Sequence, residues 1–190
     1  MEALFTSTLI VALAEIGDKT QLLAIVLAAR FKRPWPIVGG IFGATLANHF
    51  LAAWLGEQAA AILEGQWFRY AVALSFIAMA VWTMIPDKLD DEDAVKSERF
   101  GAFLTTLILF FVIEMGDKTQ IATIALGAQF KAAFPVTAGT TLGMMIANVP
   151  AVFFGSALIQ RVPLRIVNLV AALLFLTIGT WLLLSTAGYV

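Results

Sequence analysis

Six long apolar segments, separated by short polar breaks, constrain this 190-residue sequence more than any other feature. A helix needs about 20 mostly apolar residues to cross a membrane. Hydrophobic residues make up 61% of the chain and charged residues 13%, whereas soluble domains contain roughly 45–50% and 25%. We therefore predict one all-α integral membrane domain over residues 1–190 with six transmembrane helices. The segments run over about residues 3–29, 35–56, 67–86, 101–128, 134–158 and 163–186.

The two halves of the sequence repeat one another. Glu15-Ile-Gly-Asp-Lys-Thr-Gln21 matches Glu114-Met-Gly-Asp-Lys-Thr-Gln120 at six of seven positions. Three crossings per half would invert the second repeat relative to the first, as in many secondary transporters. We predict inverted repeats over residues 1–86 and 101–190, joined by a cytoplasmic linker, 87–100. Further matches are Phe31-Lys32 with Phe130-Lys131, Pro36 with Pro135, Gly40 with Gly139, and Asn48 with Asn148.

The basic residues of the short loops predict the orientation, because cytoplasmic loops carry an excess of Lys and Arg. Eight basic residues lie in the loops after segments 1, 3 and 5, and two lie on the opposite side. The first group predicts the cytoplasmic face, so both termini would be periplasmic in a bacterial inner membrane. The cytoplasmic group is Arg30, Lys32, Arg33, Lys88, Lys96, Arg99, Arg161 and Arg165, and the outer group is Arg69 and Lys131.

Charged residues interrupt segments 1 and 4 at membrane depth. The first motif follows twelve apolar or uncharged residues, Ala3–Ala14, so its charges cannot reach water at a helix end. A charge at the centre of a membrane helix costs about 2.5–3.5 kcal/mol. Six such groups would cost on the order of 15–20 kcal/mol if their costs added. These groups must therefore pair, take up protons or bind a cation, and they must face the protein interior.

The spacing within the motif favours a shared site. Residues at i, i+3 and i+4 share a helix face, so Glu15, Asp18 and Lys19 would point together. Gly17 and Gly116 weaken the helix locally and allow close approach of backbone or ligand. We therefore predict that helices 1 and 4 are discontinuous, as at the ion sites of inverted-repeat transporters.

Charge balance and ligand chemistry predict a divalent cation as substrate. Four carboxylates and two lysines sum to −2 when all are ionised, which one divalent cation or two protons would neutralise. Carboxylate and amide oxygens suit Mg²⁺, Ca²⁺ or Mn²⁺, and the chain has no cysteine and one histidine. We predict Glu15, Asp18, Glu114 and Asp117 as metal ligands, with no catalytic residue and no cofactor. The predicted supporting residues are Thr20, Gln21, Thr119, Gln120, Asn48, Asn148, Lys19 and Lys118.

At this paired motif the chain resembles the MneA-type manganese exporters, whose eukaryotic relatives are Gdt-type cation/proton antiporters. That family is marked by two Glu-x-Gly-Asp-Lys/Arg-Thr/Ser copies on a six-helix, twice-repeated chain, and residues 15–20 and 114–119 fit it without departure. The resemblance covers essentially the whole chain. It implies export of a divalent cation, with manganese expected and calcium as the alternative, in exchange for protons. It also implies that the four acidic residues bind the metal.

Several alternatives stay open at this stage. An exporter of another small solute, such as an amino acid, would favour groups for an ammonium and a carboxylate. An intramembrane diaspartyl hydrolase would need Asp18 and Asp117 to share a proton and activate water. Ligand chemistry alone does not separate Mn²⁺ from Ca²⁺, and it gives neither the proton stoichiometry nor the choice between monomer and homodimer. The roles of Lys19, Lys118 and the acidic loop 87–99 are also open, and the net charge of −1 gives no indication of nucleic-acid binding.

Overall fold

The computed structural model describes residues 1–63, 65–85, 101–155 and 163–189. Within these ranges every regular element is a helix, which confirms the all-α prediction. The helices are α1 Glu2–Glu15, α2 Lys19–Phe31, α3 Pro34–Ile62, α4 Gln66–Thr83, α5 Gly101–Glu114, α6 Lys118–Phe130, α7 Ala133–Phe154 and α8 Leu164–Ala187.

Both motif segments are broken into two helices at the predicted places. Gly17 lies between α1 and α2 with φ of +87°, and Gly116 lies between α5 and α6 with φ of +78°. Residues with a side chain rarely adopt these left-handed angles, whereas glycine does so at little cost. The next residues, Asp18 and Asp117, have extended backbones and cap α2 and α6. The repeated glycine therefore accounts for the discontinuity in both halves.

Three of the described helices are long enough and apolar enough to cross a membrane alone, namely α3, α7 and α8. The four helices that flank the motif breaks contain 13 or 14 residues each, so each is too short to cross by itself. Helix α4 has 18 residues, but polar Gln66 and Arg69 occupy its first turn. The protein is thus a multi-pass membrane protein, and its crossings differ in how they are built.

The structure corrects two boundaries and leaves one predicted segment untested. Helix α7 ends at Phe154, four residues before the predicted end of segment 5. Helix α3 continues to Ile62 rather than ending near residue 56, because residues 57–61 are all good helix formers. The helix ends only just before Gly65, whose φ is +130°. The linker 87–100 lies outside the described residues, as do the orientation residues Lys88, Lys96, Arg99 and Arg161.

Helices of the two halves pack against each other in a reciprocal pattern. Helix α1 packs along α7, α5 packs along α3, and α4 packs along α8. A Cβ on Gly139 would lie 2.5 Å from the carbonyl oxygen of Leu4, and a Cβ on Gly40 would lie 2.7 Å from that of Phe103. Glycine at matching positions therefore lets each long helix lie directly on the backbone of the other half.

Candidate cation site

Three buried carboxylates from the two motifs meet between the broken helices. Glu15, Glu114 and Asp117 each offer one carboxylate oxygen, and these oxygens all lie within 4.8 Å of one another. The two glutamates are fully buried and Asp117 is 5% exposed. Each glutamate is the last residue of its helix, α1 or α5, where the negative end of the helix dipole favours a cation. The arrangement is suited to a hard cation that bridges the two halves.

The two glutamates have different hydrogen-bond partners. Thr20 donates its hydroxyl to Glu15 Oε2 at 2.7 Å, and Thr119 of the other motif donates to Glu15 Oε1. Neither carboxylate oxygen of Glu114 has a hydrogen-bond partner among the residues that the structure describes. A buried carboxylate without a partner is costly. Glu114 therefore has the greater need for a cation or a proton.

Both lysines form ion pairs across the motifs. Lys19 Nζ lies 2.9 Å from Asp117 Oδ1, and Lys118 Nζ lies 3.8 Å from Asp18 Oδ1. Lys118 also donates to the carbonyl oxygen of Ile85 at the end of α4. The expectation that each motif shares one helix face was wrong, because the helix breaks between the glutamate and the aspartate. The lysines thus form two ion pairs that join the two halves.

Two glutamines stabilise the breaks. The backbone N–H of Gly17 donates to Gln21 Oε1 at 2.9 Å, and the N–H of Gly116 donates to Gln120 Oε1 at 2.6 Å. Each glutamine then donates its amide to the opposite half, Gln21 to the carbonyl oxygen of Ala147 at 2.8 Å and Gln120 to Asn48 Oδ1. Each amide oxygen thus satisfies a backbone group that the broken helix leaves unpaired.

The two matching asparagines are both buried but make different contacts. Asn48 accepts the hydrogen bond from Gln120. Asn148 donates to the carbonyl oxygen of Met144 at 3.1 Å and contacts its sulfur at 2.8 Å. The oxygen Oδ1 of Asn148 has no partner in the described part of the chain. Asn48 thus helps hold α6 in place, whereas Asn148 keeps an oxygen available.

Most of the predicted site residues lie in this one region, with one exception in the carboxylate group. Asp18 does not belong to the three-carboxylate group and lies beside Lys118 instead. Sequence reasoning missed Ile85, Ala147 and Leu164, which contact the site through backbone carbonyls or an apolar side chain. These contacts leave no recognisable pattern in a single sequence.

A cavity of about 630 Å³ lies away from the motifs. Its lining includes Gln66, Arg69 and Lys131, from the ends of α4 and α6, and none of the motif residues. The carboxylates are therefore enclosed between helices rather than placed at the floor of this cavity.

Comparison with known proteins gives a consistent result. Residues 3–91 and 102–189 match the family described as "Divalent cation/proton antiporter GDT1". A Vibrio cholerae protein named "Putative manganese exporter" is 50% identical over 177 residues, which cover 93% of this chain and 88% of that protein. A GDT1-like protein of Synechocystis is 32% identical, covering 92% of this chain and 93% of the relative. No solved structure matches.

Proposed function

The chain belongs to the GDT1 family of divalent cation/proton antiporters, and from that premise we propose that it exports manganese from the cytoplasm in exchange for protons. It is a membrane transporter of divalent cations, not an enzyme. The family therefore removes the diaspartyl hydrolase and the amino-acid exporter from consideration. Manganese is proposed as substrate from the Vibrio cholerae relative, and calcium is the alternative that carboxylate ligands also suit.

The observation that carries the proposal is the group of three buried carboxylates contributed by both motifs. In a low-dielectric interior such a group is stable only when its negative charge is balanced. Lys19 and Lys118 balance part of it through the crossed ion pairs. We propose that Glu15, Glu114 and Asp117 bind the transported cation directly, with Asp18 entering the ligand set when its lysine moves away.

The same balance of charge supports the exchange of the metal ion for protons. Four carboxylates and two lysines leave two negative charges, so one divalent cation and two protons are alternative ways to neutralise the site. Cytoplasmic metal would displace the protons, and protons from the outer side would displace the metal after the site changes its exposure. No separate proton site is required.

The proposed membrane arrangement has six crossings in two inverted repeats, residues 1–86 and 101–190. The pairs α1–α2 and α5–α6 each form one discontinuous crossing, and α3, α4, α7 and α8 form the others. The reciprocal packing of α1 with α7 and of α5 with α3 supports this arrangement. Following the loop charges, α1 begins and α8 ends on the periplasmic side of a bacterial inner membrane.

Transport by the purified protein in liposomes tests the proposal. Manganese entry is followed with a trapped fluorescent dye while an imposed pH gradient provides the counter-ion, and calcium is measured in parallel. Glu15→Gln and Asp117→Asn are expected to reduce manganese flux by roughly a hundredfold or more, since each removes a ligand from the buried group. Glu2→Gln changes an exposed acid in the first turn of α1 and serves as the matched control.

Two outcomes would contradict the proposal. If manganese flux through the wild-type protein were unaffected by collapse of the pH gradient, exchange of manganese for protons would be excluded. If the Glu15→Gln variant and the Glu2→Gln control gave equal flux at equal protein content, the carboxylate group would be excluded as the binding site.

A further inference from the structure

The two motifs are nearly identical in sequence, yet their side chains are bonded differently. Both threonine hydroxyls, Thr20 and Thr119, are donated to Glu15, and they reach different oxygens of its carboxylate. Glu114 occupies the matching position in the second motif and receives neither of them. Both glutamates are fully buried, so the difference does not come from solvent exposure.

The same asymmetry extends to the contacts around the carboxylates. Gln120 donates to the side chain of Asn48, but Gln21 donates to a backbone carbonyl beside Asn148 rather than to its side chain. A Cβ on Gly17 would lie 2.5 Å from Leu164 of α8, whereas no atom of the described residues lies within 4 Å of the same position on Gly116. Among the described residues, the first turn is therefore covered and the second is open. Motifs with six of seven residues in common have adopted two different arrangements.

The repeat makes a second, equivalent arrangement available. If the two halves exchange conformations, Thr20 reaches Glu114 across the repeats and Thr119 reaches Glu114 within its own motif. A hydroxyl has one hydrogen, so each threonine can donate to only one glutamate at a time. We propose that Thr20 and Thr119 form a hydrogen-bond switch, which holds Glu15 in this conformation and Glu114 in the conformation that faces the other side of the membrane.

This inference rests on the proposed function, in which inverted repeats exchange conformations during transport. The glutamate without threonine partners has both carboxylate oxygens available for the cation. In the arrangement described this is Glu114, next to Asp117. After the exchange it would be Glu15. The threonines are thus positioning residues that decide which glutamate has both carboxylate oxygens, rather than one hydrogen-bonded oxygen, to offer to the cation.

Distance measurements between spin labels test the switch without transport. The sequence contains no cysteine, so pairs of labelled cysteines can be introduced in the full-length protein, reconstituted in lipid nanodiscs without metal. Pulsed electron paramagnetic resonance then gives the distance distribution, and hence the ratio of conformations, for each pair. The two pairs, at exposed positions related by the repeat offset of 99, are Lys32→Cys with Ile166→Cys and Lys131→Cys with Trp67→Cys.

The expected result is a shift in opposite directions for the two glutamates. Because Thr20 and Thr119 reach different oxygens of Glu15, Glu15→Gln replaces one of these acceptors with an NH2 donor and leaves that hydroxyl without its acceptor. The variant should therefore move the population toward the exchanged conformation by roughly tenfold. Glu114→Gln should move it the other way, because only the exchanged conformation uses that carboxylate. Glu2→Gln, the exposed control, should cause no shift.

A double substitution separates the switch from a merely structural role. In a Thr20→Val/Thr119→Val background the opposite shifts caused by Glu15→Gln and Glu114→Gln should disappear, since no hydroxyl remains to be exchanged. Shifts in the same direction, or opposite shifts that persist without the hydroxyls, would overturn the inference. Opposite shifts that depend on the threonines support the switch even if no manganese flux is measured. Absence of manganese flux would contradict the proposed function but not the switch.

Discussion

Alanine at Gly56 is expected to impair transport although it lies about 12 Å along α3 from Asn48. A Cβ on Gly56 would lie 2.0 Å from the carbonyl oxygen of Ile124 and 2.8 Å from the nitrogen of Ala128 in α6. Carbon and oxygen atoms in close contact are normally about 3.3 Å apart, so α3 and α6 must separate by roughly 1.3 Å. That displacement is expected to lengthen and weaken the hydrogen bond from Gln120 to Asn48.

The expected loss of stability follows from the atoms that the new Cβ meets. They belong to the backbone of α6, so they cannot rotate away as a side chain could. Overpacking of this kind costs about 1–3 kcal/mol, equivalent to a fall in Tm of roughly 2–10 °C for a chain of this size. Manganese flux should fall at least tenfold, because α6 also carries Thr119 and Lys118. Thermal unfolding of the purified protein and liposome flux are the two measurements.

Gly39→Ala provides the matched control for this prediction. Among the described residues, a Cβ on Gly39 would meet only the ring of Phe103 at 3.4 Å, which is an ordinary contact. We expect that variant to retain wild-type Tm and flux. If Gly56→Ala behaved like Gly39→Ala in both assays, the close α3–α6 packing would not hold and the reasoning would be refuted.

Two further predictions concern the motif itself. Gly17→Ala should lower the Tm more than Gly116→Ala. Both substitutions impose a left-handed backbone on alanine, but the new Cβ at position 17 also collides with Leu164. Adding Leu164→Ala should therefore restore part of the Tm lost in Gly17→Ala and none of that lost in Gly116→Ala. Lys19→Gln should raise the apparent affinity for manganese roughly tenfold while slowing turnover, since it removes the partly exposed cation 2.9 Å from Asp117. A weaker apparent affinity would show that the lysine does not compete with the metal.

The membrane class and the breaks within both motif segments were predictable from the sequence, where the duplicated motif can be read directly. Each depends on residues that are close together along the chain or repeated at a constant offset. The glycine inside each motif was sufficient to predict where the chain would break between α1 and α2 and between α5 and α6. The extension of α3 to Ile62 was not predicted, since Glu57 and Gln58 are polar and resemble a break between segments, yet both are good helix formers.

The composition of the site was predicted more completely than its bonding. Helical spacing placed Glu15, Asp18 and Lys19 on one face, but this argument holds only for an unbroken helix. Once the chain turns at Gly17, each lysine is directed to the aspartate of the other motif. Local spacing could not show this because the partner belongs to a different half of the chain.

By itself the sequence determined that charged groups would be buried in a membrane, that they would occur twice, and that a cation or protons would be needed to balance them. Those conclusions follow from local composition and from the near identity of two motifs. Only the tertiary structure decided which carboxylates meet and which glutamate accepts the hydrogen bond from each threonine. The deciding contacts join residues 104 and 126 positions apart, as in Thr119 with Glu15 and Gln21 with Ala147. Such contacts are set by how whole helices pack, and two nearly identical motifs leave their assignment undetermined until the helices are placed.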